Sequence, residues 1–230
     1  MNVRRLWLAG LLALTLGLGS TALHAQGYNV FVMGGGSSLF DKNNYTVSTG
    51  DFRSTYKNGG QFTVGAEVPL FKFFGLEGSY GYGRNNLAVT DLGTNTETGF
   101  NTRNQRLSGD FVVHSPKSFF HLRPYVLAGL EYDRFSPVGN AAAHATSPGF
   151  NNVADTALNP ANKLGFNYGG GVELKLIRWV GLRFDVRDHI TGSPNYGLPA
   201  SSSTGGAVFP VSGAAHDLEY SAGVVFHFGK

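Results

Sequence analysis

A chain of 230 residues with 18 Lys and Arg against 15 Asp and Glu has the length of one domain and a formal charge of only +3. It contains no cysteine, which excludes disulfide staples and thiolate metal sites. Its 33 glycines, 18 Phe and 10 Tyr come with little helical periodicity, which points to an all-β class.

Arg4 and Arg5 precede an apolar run over 6–18, and small residues lead on to Ala25. This is the pattern of a secretory signal peptide over 1–25, cleaved after Ala25 or, alternatively, Ala22. Residues 26–230 then form one barrel domain. Without Arg4 and Arg5 the formal charge falls from +3 to +1, so a pI near 9.1 gives no reason to expect nucleic acid as a partner. No later run reaches the roughly 18 apolar residues of a membrane helix.

Period-two alternation predicts eight strands. The first covers 28–36 and is followed by a polar loop through Asp41, Asn43, Asn44 and Lys57. The second, 61–70, aligns Phe62, Val64, Ala66, Val68 and Leu70. After a turn at Phe71 and Lys72, the third aligns Phe74, Leu76, Tyr80 and Tyr82. A stretch rich in Asn, Thr and Gly over 85–101 reads as a long loop. The fourth strand is 103–114, a tight turn covers 115–117, and the fifth is 120–134. A long loop over 136–163 precedes the sixth, which aligns Leu164, Phe166, Tyr168, Val172 and Leu174. The turn 177–179 leads to Leu182, Phe184 and Val186 on the seventh, and a loop over 191–215 leads to the eighth. Long and short connections alternate, which puts four long loops at one rim of an antiparallel up-and-down barrel and short turns at the other.

The last strand places Tyr220, Ala222, Val224, Phe226 and Phe228 on one face, and Glu219, Ser221, Gly223, Val225 and His227 on the other. Across all strands the polar face carries Glu67, Glu77, Arg106, Asp110, Arg123, Glu131, Glu173, Arg183, Asp185, Arg187 and Glu219, interleaved with glycine. A solvent-facing side would favour Lys and Thr and avoid glycine. Arginine suits enclosed ion pairs, because its planar fork meets carboxylates bidentately. The polar face is therefore expected inside and the apolar face against lipid. Aromatics gather toward both strand ends: Phe71, Phe73, Phe74, Phe119, Phe120, Trp179, Phe226 and Phe228 at the turns, and Tyr80, Tyr82, Tyr132, Phe166 and Tyr168 nearer the loops. An eight-stranded lumen is just wide enough to be filled by side chains, so these ionisable residues are expected to plug it.

Residues 221–228 resemble the C-terminal assembly signal of bacterial outer-membrane barrels at Ser221, Gly223, Phe226 and Phe228. The segments 123–132, 165–173 and 180–187 are similar to strands of the OmpA/OmpX-like (porin-family) outer-membrane barrels. The resemblance implies an all-β, eight-stranded antiparallel transmembrane barrel in the bacterial outer membrane. Its partners would be outer-membrane lipid, lipopolysaccharide, the β-barrel assembly machinery and an extracellular ligand at the loops. The expected role is structural or surface-interacting, with a narrow porin-like channel as the alternative.

Catalytic signals are weak. His114 and Ser115, like Asp188 and His189, are sequence neighbours, so their side chains diverge to opposite faces of a strand. His114 and His121 lack a third ligand for a metal. Gly34 to Gly36 and Gly169 to Gly171 lie within strands and precede no helix, unlike a phosphate loop. No enzyme activity and no cofactor are expected.

Overall fold

The computed structural model describes residues 27–116, 120–138, 148–150, 158–201 and 207–229. Among these residues are nine strands: β1 (Tyr28–Phe40), β2 (Asn43–Val47), β3 (Gly50–Pro69), β4 (Phe74–Asp91), β5 (Glu97–His114), β6 (Leu122–Val138), β7 (Ala161–Lys175), β8 (Val180–Gly192) and β9 (Ala214–Phe228). Sequential antiparallel pairing runs from β3 to β9, β9 pairs with β1, and β1 pairs with β3. That last pairing closes an eight-stranded barrel, so each barrel strand is paired on both sides. β2 is a short arm beside the cylinder whose strand pairing is with the start of β3.

Sidedness follows from the alternation. Leu164 is 81% exposed, Leu130 73% and Phe111 65%, whereas Arg183, Asp133 and Asn167 are at 0%. A monomer showing water such a continuous apolar belt would aggregate, so this belt needs lipid around it. Glycine lets the interior close up. A Cβ on Gly129 would run into Asp110 and the Gly109 carbonyl, and one on Gly223 into the backbone of Val32 and Met33.

The strands on one side are longer than the sequence suggested. β3 has 20 residues, and β4 and β5 have 18 each, against 13 in β1 and β8. The expected loop over 85–101 is instead mostly hairpin, with Asn86 opposite Asn101 and Val89 opposite Thr98. Only 92–96 turns, where Asp91 Oδ1 accepts the backbone N–H groups of Gly93 (2.8 Å) and Thr94 (3.2 Å). Those two donors hold the exposed Asp91 carboxyl below its ordinary range. At the opposite rim β6 starts at Leu122 rather than Phe120, because Phe120 and His121 adopt left-handed φ values of 49° and 66°. Phe119 and Lys117 lie outside the described residues, as do 1–26.

Candidate functional site

The interior has three storeys. At mid-height, two knots of charge fill the lumen. Arg183 and Arg187 form the first: Arg183 reaches Glu77 (2.8 Å) and Asp185 (3.2 Å), and Arg187 reaches Glu77 (2.7 Å), Asp185 (2.7 Å) and Asp110 (3.1 Å). The Arg183 guanidinium lies 4.2 Å from the Phe31 ring centroid and 4.5 Å from that of Tyr125. Its Nε donates to the Tyr125 hydroxyl at 2.7 Å, and that hydroxyl donates to Asp185 at 3.0 Å. Asn167 donates to Asp110 at 2.8 Å. Ring stacking, ion pairs to two carboxylates and the Tyr125 hydroxyl together hold Arg183 with no solvent contact.

Arg106 is the hub of the second knot. It meets Glu219 at 2.6 Å, Asp133 at 2.8 Å, Asp217 at 3.2 Å and Glu131 at 3.7 Å. His189 Nδ1 lies 2.6 Å from Glu131, and its Nε2 lies 3.5 Å from Glu219. Asn104 donates to Asp133 at 2.9 Å. A cavity of about 10 Å³, bordered by residues of both knots including Arg106, Arg187 and Glu219, is about the room one water needs.

Toward the short turns the lumen opens into a vestibule of about 630 Å³, lined in part by Glu67, His114, Arg123, Glu173, Lys175 and Arg178. His114 Nε2 lies 2.7 Å from Glu67 Oε1. Arg123 sits here, opposite Glu173 on β7 and away from both knots.

Toward the long connections the lumen is sealed by a hydrophobic core. Phe52, Leu87, Val89 and Phe100 on the extended strands pack with Phe150, Tyr196, Leu198 and Phe209 from the connections above. Phe150 and Phe209 meet edge-on at 5.2 Å, and so do Phe100 and Tyr196 at 5.3 Å. The Tyr56 and Tyr196 hydroxyls share a 2.6 Å hydrogen bond, and burial pushes both phenols up. Nearby, burial raises the Asp41 carboxyl, opposed by hydrogen bonds from Ser193 and Asn43.

The residues expected in the lumen are thus placed as follows. Glu77, Arg106, Asp110, Glu131, Arg183, Asp185, Arg187 and Glu219 meet in the two knots; Glu67, Arg123 and Glu173 border the vestibule. Sequence reading missed Asp133, Asp217, His189, Tyr125, Asn104 and Asn167. Asp133, Asp217 and His189 were within reach, since each lies two positions from a residue already assigned inward, on a strand that continues. The inner face also carries apolar side chains: Phe31 and Met33 cluster with Val225, which the alternation of the last strand already put on this face, and Val112, Tyr125 and Leu127 form a second cluster. At the C-terminal octet, Phe228 stacks on Tyr28 at 4.9 Å, Phe226 faces Val30, and the Ser221 hydroxyl lies 3.8 Å from the Met33 sulfur. Neither neighbouring pair considered for catalysis comes together: His114 turns to Glu67, and Asp188 takes His216 (2.9 Å) and the Tyr168 hydroxyl (3.1 Å).

A closed barrel of eight antiparallel strands, apolar outside and charged within, is the design of a protein that crosses lipid with strands rather than helices. The chain belongs to the family described as outer membrane protein beta-barrel domain, whose model matches residues 11–228. That membership places it among bacterial outer-membrane barrels. Its fold is similar to the outer membrane protein OprG from Pseudomonas aeruginosa (13% identity, 90% of this chain and 98% of that one, TM-score 0.58). It is also similar to the outer membrane protein AlkL determined in lipid bilayers (14% identity, 91% and 93%, TM-score 0.52). At these identities the likeness speaks to fold. No curated protein matches the chain by sequence.

Proposed function

We propose that the protein is a closed outer-membrane barrel that works through its outer surface rather than through its lumen. The observation that carries this is the filled bore: two arginine knots leave a cavity of about 10 Å³ between them, and an aromatic core covers one mouth. The extended strands and long connections would face the exterior and the short turns the periplasm, as in barrels of this architecture. Folded loops on a rigid scaffold are suited to envelope integrity, adhesion or recognition of an extracellular ligand. In this reading the segment 1–25 directs export, and Ser221, Gly223, Phe226 and Phe228 present the last strand to the assembly machinery.

Planar-bilayer recording tests the closed lumen. The purified chain should give no steady unitary conductance, and reproducible openings would replace this reading with the narrow channel. Altered lipid A acylation on overexpression would turn it toward an enzyme.

A further inference from the structure

Three arginines face outward just above the lipid belt, on adjacent strands. Arg84 on β4 and Arg103 on β5 are direct cross-strand partners, and Arg134 on β6 pairs with Gln105, two residues from Arg103. All three are exposed. Like charges directly opposite each other destabilise a sheet, so two adjacent guanidiniums need a counter-charge. Among the described residues, no carboxylate pairs with any of the three. Other charges at this rim do have opposite partners, Lys57 with Glu97 and Asp188 with His216.

Their height is specific. Phe74 faces Val113 near the short turns, and Arg84 faces Arg103 ten residues further along both strands. Ten residues at about 3.3 Å each, tilted by about 40°, climb roughly 25 Å, the height of the apolar band of such barrels. Tyr80 and Tyr132, 40% and 44% exposed, lie below the arginines as an interfacial belt. Arg84 is braced by its Nε–H donating to the Tyr82 hydroxyl at 3.0 Å, and Gln105 donates to the Tyr80 hydroxyl at 2.9 Å.

We propose that Arg84, Arg103 and Arg134 form a docking face for the phosphate groups of outer-leaflet lipopolysaccharide. Acyl chains would lie along the apolar strands below, and phosphates would bridge guanidiniums that otherwise repel one another. Arginine fits this use, since its fork grips phosphate bidentately. The proposal rests on the orientation given above, with the extended strands toward the exterior.

The full chain, folded in detergent, is titrated with bisphosphorylated deep-rough lipopolysaccharide, with the same glycolipid after dephosphorylation, and with phosphatidylglycerol vesicles. Wild type should bind the phosphorylated glycolipid at least tenfold tighter than either comparator, with a preference that weakens as salt rises. The triple variant Arg84→Gln, Arg103→Gln, Arg134→Gln should lose that preference, while Lys57→Gln should keep it. Should the triple variant fail the heat-modifiable migration of a folded barrel, Arg103→Gln alone serves, with a partial loss expected. Wild type without preference, or a folded triple variant that retains it, overturns the docking face. Orientation is read separately by labelling Thr94→Cys on intact cells with an impermeant maleimide. No labelling overturns the orientation, whereas labelling without a phosphate preference overturns the docking face alone.

Discussion

Replacing Arg106 with Met tests whether the lumen is a dry, paired network or a wet one. Arg106 is the shared partner of Asp133, Glu131, Asp217 and Glu219, whose side chains are 0%, 0%, 5% and 13% exposed. Methionine keeps most of the volume and removes the charge, leaving four carboxylates around one imidazole. Removing one partner of a buried ion pair costs about 3–5 kcal/mol, because the remaining charge is uncompensated. At a urea slope of about 2 kcal/mol per M, the unfolding midpoint should fall by roughly 1.5–2.5 M. The assay is heat-modifiable gel migration after equilibration in urea with detergent. Adding Asp133→Asn to the variant should recover part of the loss, since one stranded charge disappears, and the cycle should show coupling of about 0.5–3 kcal/mol. A midpoint within 0.5 M of wild type, set against the same slope, would mean that water already solvates these carboxylates, and the closed-lumen account would fail with it.

The exposed pair Lys57–Glu97 is the matched contrast: Lys57→Ala should shift stability by less than about 1 kcal/mol, measured the same way. In the cap, Phe209→Ala should cost about 3–5 kcal/mol locally, seen as faster proteolysis of the loops while barrel migration stays unchanged. Burial raises the Asp41 carboxyl in the folded chain, so its contribution is complete below the unfolded value near 3.8 and is lost as pH rises through the folded value. Hydrogen exchange of the Val89 and Phe100 amides should therefore quicken with rising pH beyond the intrinsic rate in wild type, and less so in Asp41→Asn. Phe228→Ala removes the stacking partner of Tyr28 and the last residue of the proposed assembly signal, so unfolded chain should accumulate in the periplasm, read by fractionation.

The closed lumen and the apolar exterior are two consequences of one alternation, and the arginine row at the rim is a third. Along β4 the same parity that sends Glu77 inward turns Leu76 and Tyr80 to the apolar exterior, and further up the strand it turns Arg84 outward. A short period therefore serves a long structure.

Sequence by itself determined the class, the sidedness and most of the lumen. Period two is a local property of the chain, so Glu77, Arg183 and Leu164 declare their faces without any knowledge of their neighbours. Tertiary structure alone decided the pairing. Arg106 and Asp217 are 111 positions apart and meet only because β5 and β9 face each other across the bore. The cap was hidden for a related reason. Asn86 and Asn101 look like loop residues, yet they pair as strand because Leu87, Val89 and Phe100 on the other face are covered by Tyr196 and Phe209 from a distant connection. Burial supplied from far along the chain outweighs a local preference for turns, and no window of sequence contains both halves of that contact.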